Sequence, residues 1–188
     1  MALTSRAFGF AAAMFAVVSL VSVSQANAAG ATSILTVNTE QLFLQSKVGQ
    51  SVRSQIQTMA QKIQAEGRSS QASLQDEANK LTQQRSTMAQ EQFQQKVQDL
   101  QKREADLQAR MQKKGSELQN GGEVARNQVE TALRPIFTDL MTKHGADIII
   151  DTSVIVASKD GLDVTQEAMT ALNARLSTVT VTPTAAKP

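Results

Sequence analysis

The sequence predicts a mainly α protein with a small β part (α+β): a long antiparallel two-helix coiled-coil arm standing on a small β-containing association base. Three observations carry that prediction. Apolar side chains recur mainly at steps of three, four and seven from Leu44 to Leu118, which lays most of them along one helical face. No Pro falls between residues 1 and 134, so long helices can run uninterrupted. Short β-branched runs at 33–38 and 148–157 flank that helical middle.

Residues 1–28 read as a signal peptide. Arg6 supplies a positive end, Ala7 to Val23 carries no charge, and Ala26-Asn27-Ala28 is a small-x-small triplet, placing cleavage after Ala28 with Ala29 as the first mature residue. An uncleaved anchor is the competing reading, since a span needs about 20 apolar residues. The following Ala-Gly-Ala-Thr-Ser stretch, however, has no positive stop-transfer flank. With no Cys, the exported chain has neither disulfides nor thiolate metal sites, nor a lipid-attachment Cys, and must be stabilised by packing or assembly.

Residues 29–45 form the first part of the base. Ser33 to Asn38 is a β-branched strand closed by Asn38-Thr39, and Leu42, Phe43 and Leu44 side by side make the first turn of the next helix buried on more than one side. Residues 46–144 form the arm. Leu44, Val48, Val52, Ile56, Met59 and Ile63 start its seam; Ala72, Leu74, Leu81 and Met88 thin it out; Phe93, Val97, Leu100, Leu107, Met111 and Leu118 resume it. A lone helix would leave this stripe uncovered. Thr87 with Gln90 matches a T-x-x-Q capping box, so the tip is placed at 85–89, one continuous helix being the alternative. Gly49, Gly121 and Gly122 are hinge candidates: reflection about residue 86 brings the pair level with Gly49, although close helix approach would also explain them.

The arm returns through Val129, Leu133, Ile136, Phe137 and Leu140 to Lys143-His144-Gly145, a basic last turn and a Gly stop. Residues 145–177 complete the base as two strands, Ile148-Ile149-Ile150 and Val154-Ile155-Val156-Ala157, paired in a hairpin, then a helix capped by Asp163 or Thr165. Residues 178–188, with Pro183 and a terminal Ala-Lys-Pro, read as a disordered tail.

The mature chain has three aromatics, Phe43, Phe93 and Phe137, too few for a large globular core, which favours elongated helices or an oligomer. One His and no Cys, with no G-x-S-x-G motif, no P-loop and no metal-ligand cluster, predict no enzyme, no cofactor and no metal site. Asp147 and Asp151 share a strand face without a partner base and read as strand-end polar groups. Nothing points to nucleic acid.

Ile34-Leu35-Thr36-Val37-Asn38 leading to Leu42-Phe43, Leu133-Arg134-Pro135-Ile136, Ala146 to Asp151 with the Val154 to Ala157 run, and Leu162-Asp163-Val164-Thr165 before a helix ending near Leu172-Asn173 together resemble the OmpH/Skp family. The resemblance covers about residues 33 to 176. It implies a periplasmic homotrimer of jellyfish shape, an ATP-independent holdase whose helical arms surround a cavity for unfolded outer-membrane β-barrel proteins and deliver them for assembly. The base residues expected to form core and trimer contacts are Ile34, Leu35, Val37, Leu42, Phe43, Ile148, Ile149, Ile150, Val154, Ile155 and Val156.

Residues 47–134 hold 14 Lys+Arg against 10 Asp+Glu, whereas the rest of the mature chain holds 4 against 7, so the arm is basic and the base acidic. Such an arm attracts acidic clients across about 8 to 10 Å at physiological salt. Met59, Met88, Phe93 and Met111 are candidate client contacts, with hairpin core as the competing role. Lys102, Arg103, Lys113 and Lys114 are candidates for acidic client segments, lipopolysaccharide or an anionic membrane surface, with plain solvation competing. The alternative function is a structural coiled-coil adaptor of the envelope that binds folded partner helices.

Overall fold

The computed structural model describes residues 32–186; the expected signal peptide and its cleavage site at Ala28 and Ala29 lie outside the described residues. Strand β1 (Ile34–Val37) buries Leu35, Thr36 and Val37 and ends at Asn38, whose Oδ1 accepts the Gln41 N–H at 2.8 Å and so caps helix α1 (Thr39–Gln45). Ser46 is extended at φ −66°, ψ 154°, which ends α1. Its hydroxyl accepts the Gly49 N–H at 3.1 Å and starts α2 (Lys47–Gln83). The chain turns over 84–89 and returns as α3 (Gln90–His144), which Gly145 closes in the left-handed region at φ 62°. Strand β2 (Ile148–Asp151), a 3-10 turn (Thr152–Val154) and α4 (Thr165–Arg175) follow.

β1 and β2 pair in parallel, Ile34 with Ile148, Leu35 with Ile149, Thr36 with Ile150 and Val37 with Asp151. Parallel strands require a crossover between them. Here the crossover is the helical hairpin itself, so the arm grows out of a β-α-α-β unit. On its other side β1 is bonded by the 162–164 segment, through Thr36 N–H to Leu162 O at 2.8 Å and Val164 N–H to Thr36 O at 2.9 Å.

The core lies where base and arm root meet. Leu42, Val48, Val52, Ala125, Val129, Leu133, Ile136, Ala168 and Leu172 are nearly inaccessible and form one cluster with Leu35, Val37 and Val164. α3 runs through Pro135, which is exposed and leaves its turn without one backbone donor.

Four expectations are corrected. The hairpin between Ile148–Ile150 and Val154–Ala157 does not form: β2 pairs with β1 alone, and the Asp151 carboxylate, accepting the Ser153 N–H at 2.7 Å, tightens the turn into a 3-10 turn that leads the chain away. Val154 and Val156 are accordingly 74% and 104% exposed and lie outside this chain's core, with Ile155 half-buried. The Thr87–Gln90 capping box is also absent; Thr87 Oγ1 donates to Gln84 O at 3.0 Å, and α3 begins after Ala89 without a side-chain cap.

The hinge reasoning fails on register. The interhelical pairs Glu77–Arg103 and Glu66–Lys114 are both centred on residue 90, four residues beyond the expected mirror point, so Gly122 faces Ile56 rather than Gly49. Each glycine instead serves close packing inside an unbroken helix: a Cβ at Gly49 would overlap the Phe43 carbonyl, one at Gly121 the Thr182 carbonyl, and one at Gly122 would lie 3.0 Å from Ile56 Cδ1. Finally, residues 178–186 are no disordered tail. They run extended along the arm root as a strap, with Val179 and Val181 buried in the main core.

Candidate functional site

The arm is long and thinly glued. At 1.5 Å per residue, the 37 residues of α2 span about 55 Å and the 55 of α3 about 80 Å. Beyond the root, Leu74, Leu81 and Leu107 are buried, while Met88, Phe93, Val97, Leu100 and Met111 are half-buried. None of these joins the main cluster. The distal arm is therefore held by a single leucine seam and two interhelical ion pairs, the low-stability end of the molecule.

Those pairs absorb part of the basic charge. Arg103 reaches the Glu77 carboxylate with both Nη atoms, at 2.5 and 2.8 Å, and Lys114 reaches Glu66 at 2.6 Å. The hydrogen bonds from Arg103 and Lys114 hold the Glu77 and Glu66 carboxyls below their ordinary range. Lys113 sits 3.8 Å from Glu117 on its own helix, and among the described residues Lys102 makes no ion pair. Of the four basic candidates, Lys102 is thus the one without an ion pair among the described residues, and Lys102 and Lys113 are both exposed. Met59 packs against the main core, and the Met111 sulfur fills the space opposite Gly67. Met88 and Phe93 line a pocket at the tip with Arg85, whose guanidinium stands 5.5 Å from the Phe93 ring centre.

The base has two polar devices and one open edge. Asp147 accepts the Ser33 N–H at 2.8 Å, and Asp151 accepts the Thr39 N–H at 3.1 Å, the Thr39 hydroxyl at 2.6 Å and the Ser153 N–H at 2.7 Å. Both carboxylates tie strand ends to neighbouring loops. Burial pushes the Asp151 carboxyl up, but the hydrogen bonds from Ser153 and Thr39 outweigh it and hold the group well below the usual carboxylate range. At the arm root Arg126 bonds Glu40 at 2.9 Å and stands 4.9 Å from the centre of the Phe43 ring, clasping α3 to α1. Leu35, Val37 and Leu42 are core, Phe43 and Ile149 pack against it, and Ile150 is half-buried. By contrast Ile34 and Ile148, 36% and 40% exposed, pair at the start of the two strands, and Val154 and Val156, which follow the other end of β2, are exposed apolar side chains as well.

The strap was missed by sequence reasoning, although Thr178-Val179-Thr180-Val181-Thr182 alternates with the period of a half-buried strand. Gln55 is its partner: the Gln55 Nε2 donates to Val179 O at 2.8 Å, and the Val181 N–H donates to Gln55 Oε1 at 3.0 Å. Higher on the arm the Thr184 N–H donates to Glu117 O at 2.9 Å, and Asn120 Nδ2 donates to Thr184 O at 3.2 Å. No group of three or more His, Asp and Glu residues is placed to hold a metal, and no helix is long and apolar enough to cross a membrane, among the described residues.

These features define an α+β module: a parallel two-strand base whose crossover is drawn out into a helical arm. The model of the Outer membrane protein (OmpH-like) family matches residues 33–172, and the chain belongs to that family. The crystal structure of an outer membrane chaperone (OmpH-like) from Caulobacter crescentus CB15 superposes with a TM-score of 0.78 at 21% identity, over 83% of this chain and 92% of that one. At that identity the likeness speaks for the fold. No curated protein matches by sequence. The strap lies beyond the residues the family model matches.

Proposed function

We propose that this chain is an ATP-independent periplasmic holdase that keeps unfolded outer-membrane β-barrel proteins soluble and hands them on for assembly. Membership of the OmpH-like family is the observation that carries the reading, and the architecture supports it. A hairpin of this length with a narrow apolar seam offers a large, wet, weakly adhesive surface, suited to many small contacts with a disordered chain rather than to one tight site. Its net positive arm favours acidic clients and leaves Lys102 free for phosphate-bearing lipopolysaccharide or an anionic membrane surface.

One hairpin cannot enclose a client, so the reading requires a homotrimer. The outer edge of β2 and the exposed Ile34, Ile148, Val154 and Val156 supply the surface for it, because an apolar strand edge left in water invites pairing with another copy. Export through a signal peptide cleaved after Ala28 places the trimer in the periplasm. The adaptor reading finds little β structure to support it, since the described residues contain two four-residue strands.

The test is dilution of a urea-denatured β-barrel protein into buffer without ATP, with and without the mature chain. Light scattering suppressed at about one trimer per client supports the reading. Unchanged scattering, with retention by a folded coiled-coil partner instead, favours the adaptor.

A further inference from the structure

We propose that the groove between α2 and α3 at the arm root is a binding site for extended segments with alternating β-branched apolar and hydroxyl-bearing side chains, and that the 178–184 strap is its intramolecular occupant. The inference rests on the holdase reading and names the client feature this site would recognise. Three observations carry it. First, the groove reads backbone: Gln55 brackets the strap by accepting from the Val181 N–H and donating to the Val179 carbonyl, while Glu117 O and Asn120 engage the N–H and carbonyl of Thr184. Such contacts serve any extended chain. Second, the groove takes alternate side chains, Val179 and Val181 buried at 9% and 1% exposure with Thr180 and Thr182 exposed, while the Thr178 hydroxyl shares a hydrogen bond with Ser51 Oγ at 2.9 Å. Main-chain bonds supplying affinity and pockets for every second residue supplying selectivity is the recognition mode of strand addition. Third, Gly121 keeps α3 flat where the strap backbone crosses it, since a Cβ there would overlap the Thr182 carbonyl.

Membrane-spanning strands of outer-membrane barrels alternate apolar and polar residues with the same period. The strap thus carries the pattern of the client it would compete with. It lies outside the residues the family model matches.

The test uses the full mature chain, a Val181→Asp variant in which the strap is expelled, and the double variant Val181→Asp/Gln55→Ala, each checked for helicity. The probes are a fluorescent peptide copying residues 177–186, a barrel-strand peptide of alternating Val and Thr, and a scrambled peptide of equal composition. We expect Val181→Asp to bind both alternating peptides at least about tenfold more tightly than the parent, as for a site freed of an occupant that fills it nine-tenths of the time. The scrambled peptide should bind weakly, and Gln55→Ala should remove the gain. Equal binding of all peptides, no gain in Val181→Asp, or a gain that survives Gln55→Ala would overturn the proposal, as would capture of the copied strap alone without the barrel-strand peptide. Suppression of client aggregation is measured on the same proteins: if it is intact while the peptides fail, this site is wrong and the holdase reading stands; if it is absent, that reading has failed.

Discussion

Replacing Gln55 by Ala isolates the strap energetically. Burying Val179 and Val181 contributes about 4 kcal/mol at ~2 kcal/mol per side chain, and four hydrogen bonds to strap backbone groups about 4 kcal/mol at ~1 kcal/mol each. Ordering the seven residues 178–184, whose β-branched Val and Thr and the fixed Pro183 leave little freedom to lose, opposes this by about 7 kcal/mol at ~1 kcal/mol per residue. The two sides agree within a few kcal/mol, so the strap should open without unfolding the body. Gln55 makes two of the four bonds. Removing them costs about 2 kcal/mol, or roughly a 30-fold larger ratio of open to closed strap. The assay is amide hydrogen exchange, comparing the Val181 N–H with that of Val129 in the buried root. In the parent Val181 should exchange well ahead of Val129; in Gln55→Ala it should exchange about eightfold faster still, as an open fraction of roughly one-tenth rises toward roughly four-fifths, with Val129 unchanged. Val181 exchanging at the core rate, or both amides accelerating alike, would refute the reasoning.

Gly49→Ala should lower the melting temperature by several degrees, a cost of about 1 to 3 kcal/mol for forcing a methyl against the Phe43 carbonyl, read by circular dichroism. Asp151→Asn should cost about 1 to 3 kcal/mol at neutral pH. Because the folded-state pKa of Asp151 is depressed, its stabilisation is complete above the unfolded value of about 3.9 and is lost as pH falls through the folded value, so the gap between parent and variant in urea titrations should narrow below about pH 4. Ile148→Asp with Val156→Asp should leave the helical spectrum intact but shift the sedimenting species from trimer to monomer, since both side chains are exposed in the single chain.

What the sequence made legible followed from long-range periodicity. The seam from Leu44 to Leu118, the absence of Pro and the Gly145 stop announce two long helices, because a helical stripe repeats its signal over many turns. What it hid were choices between short-range alternatives. Val154-Ile155-Val156-Ala157 has strand composition, but the Asp151 carboxylate closes a 3-10 turn on Ser153 that diverts the chain, and β2 pairs instead with β1, a strand more than a hundred residues away. The glycines follow the same logic. Gly49 and Gly121 look like weak points in a helix and are contact points, and only the register of the hairpin reveals what they touch. The strap's alternation was visible at Val179 and Val181, but its partner is one Gln in a Gln-rich helix, indistinguishable by sequence from its neighbours.

The central claim is that copies of this chain assemble through their bases and hold an unfolded barrel protein between their arms. The most direct measurement is native mass in solution, taken for the mature protein alone and after mixing with a urea-denatured β-barrel client. The account predicts a trimer that gains the mass of one client and stays soluble without nucleotide. A monomer, or a trimer whose mass does not change while the client precipitates, would contradict it.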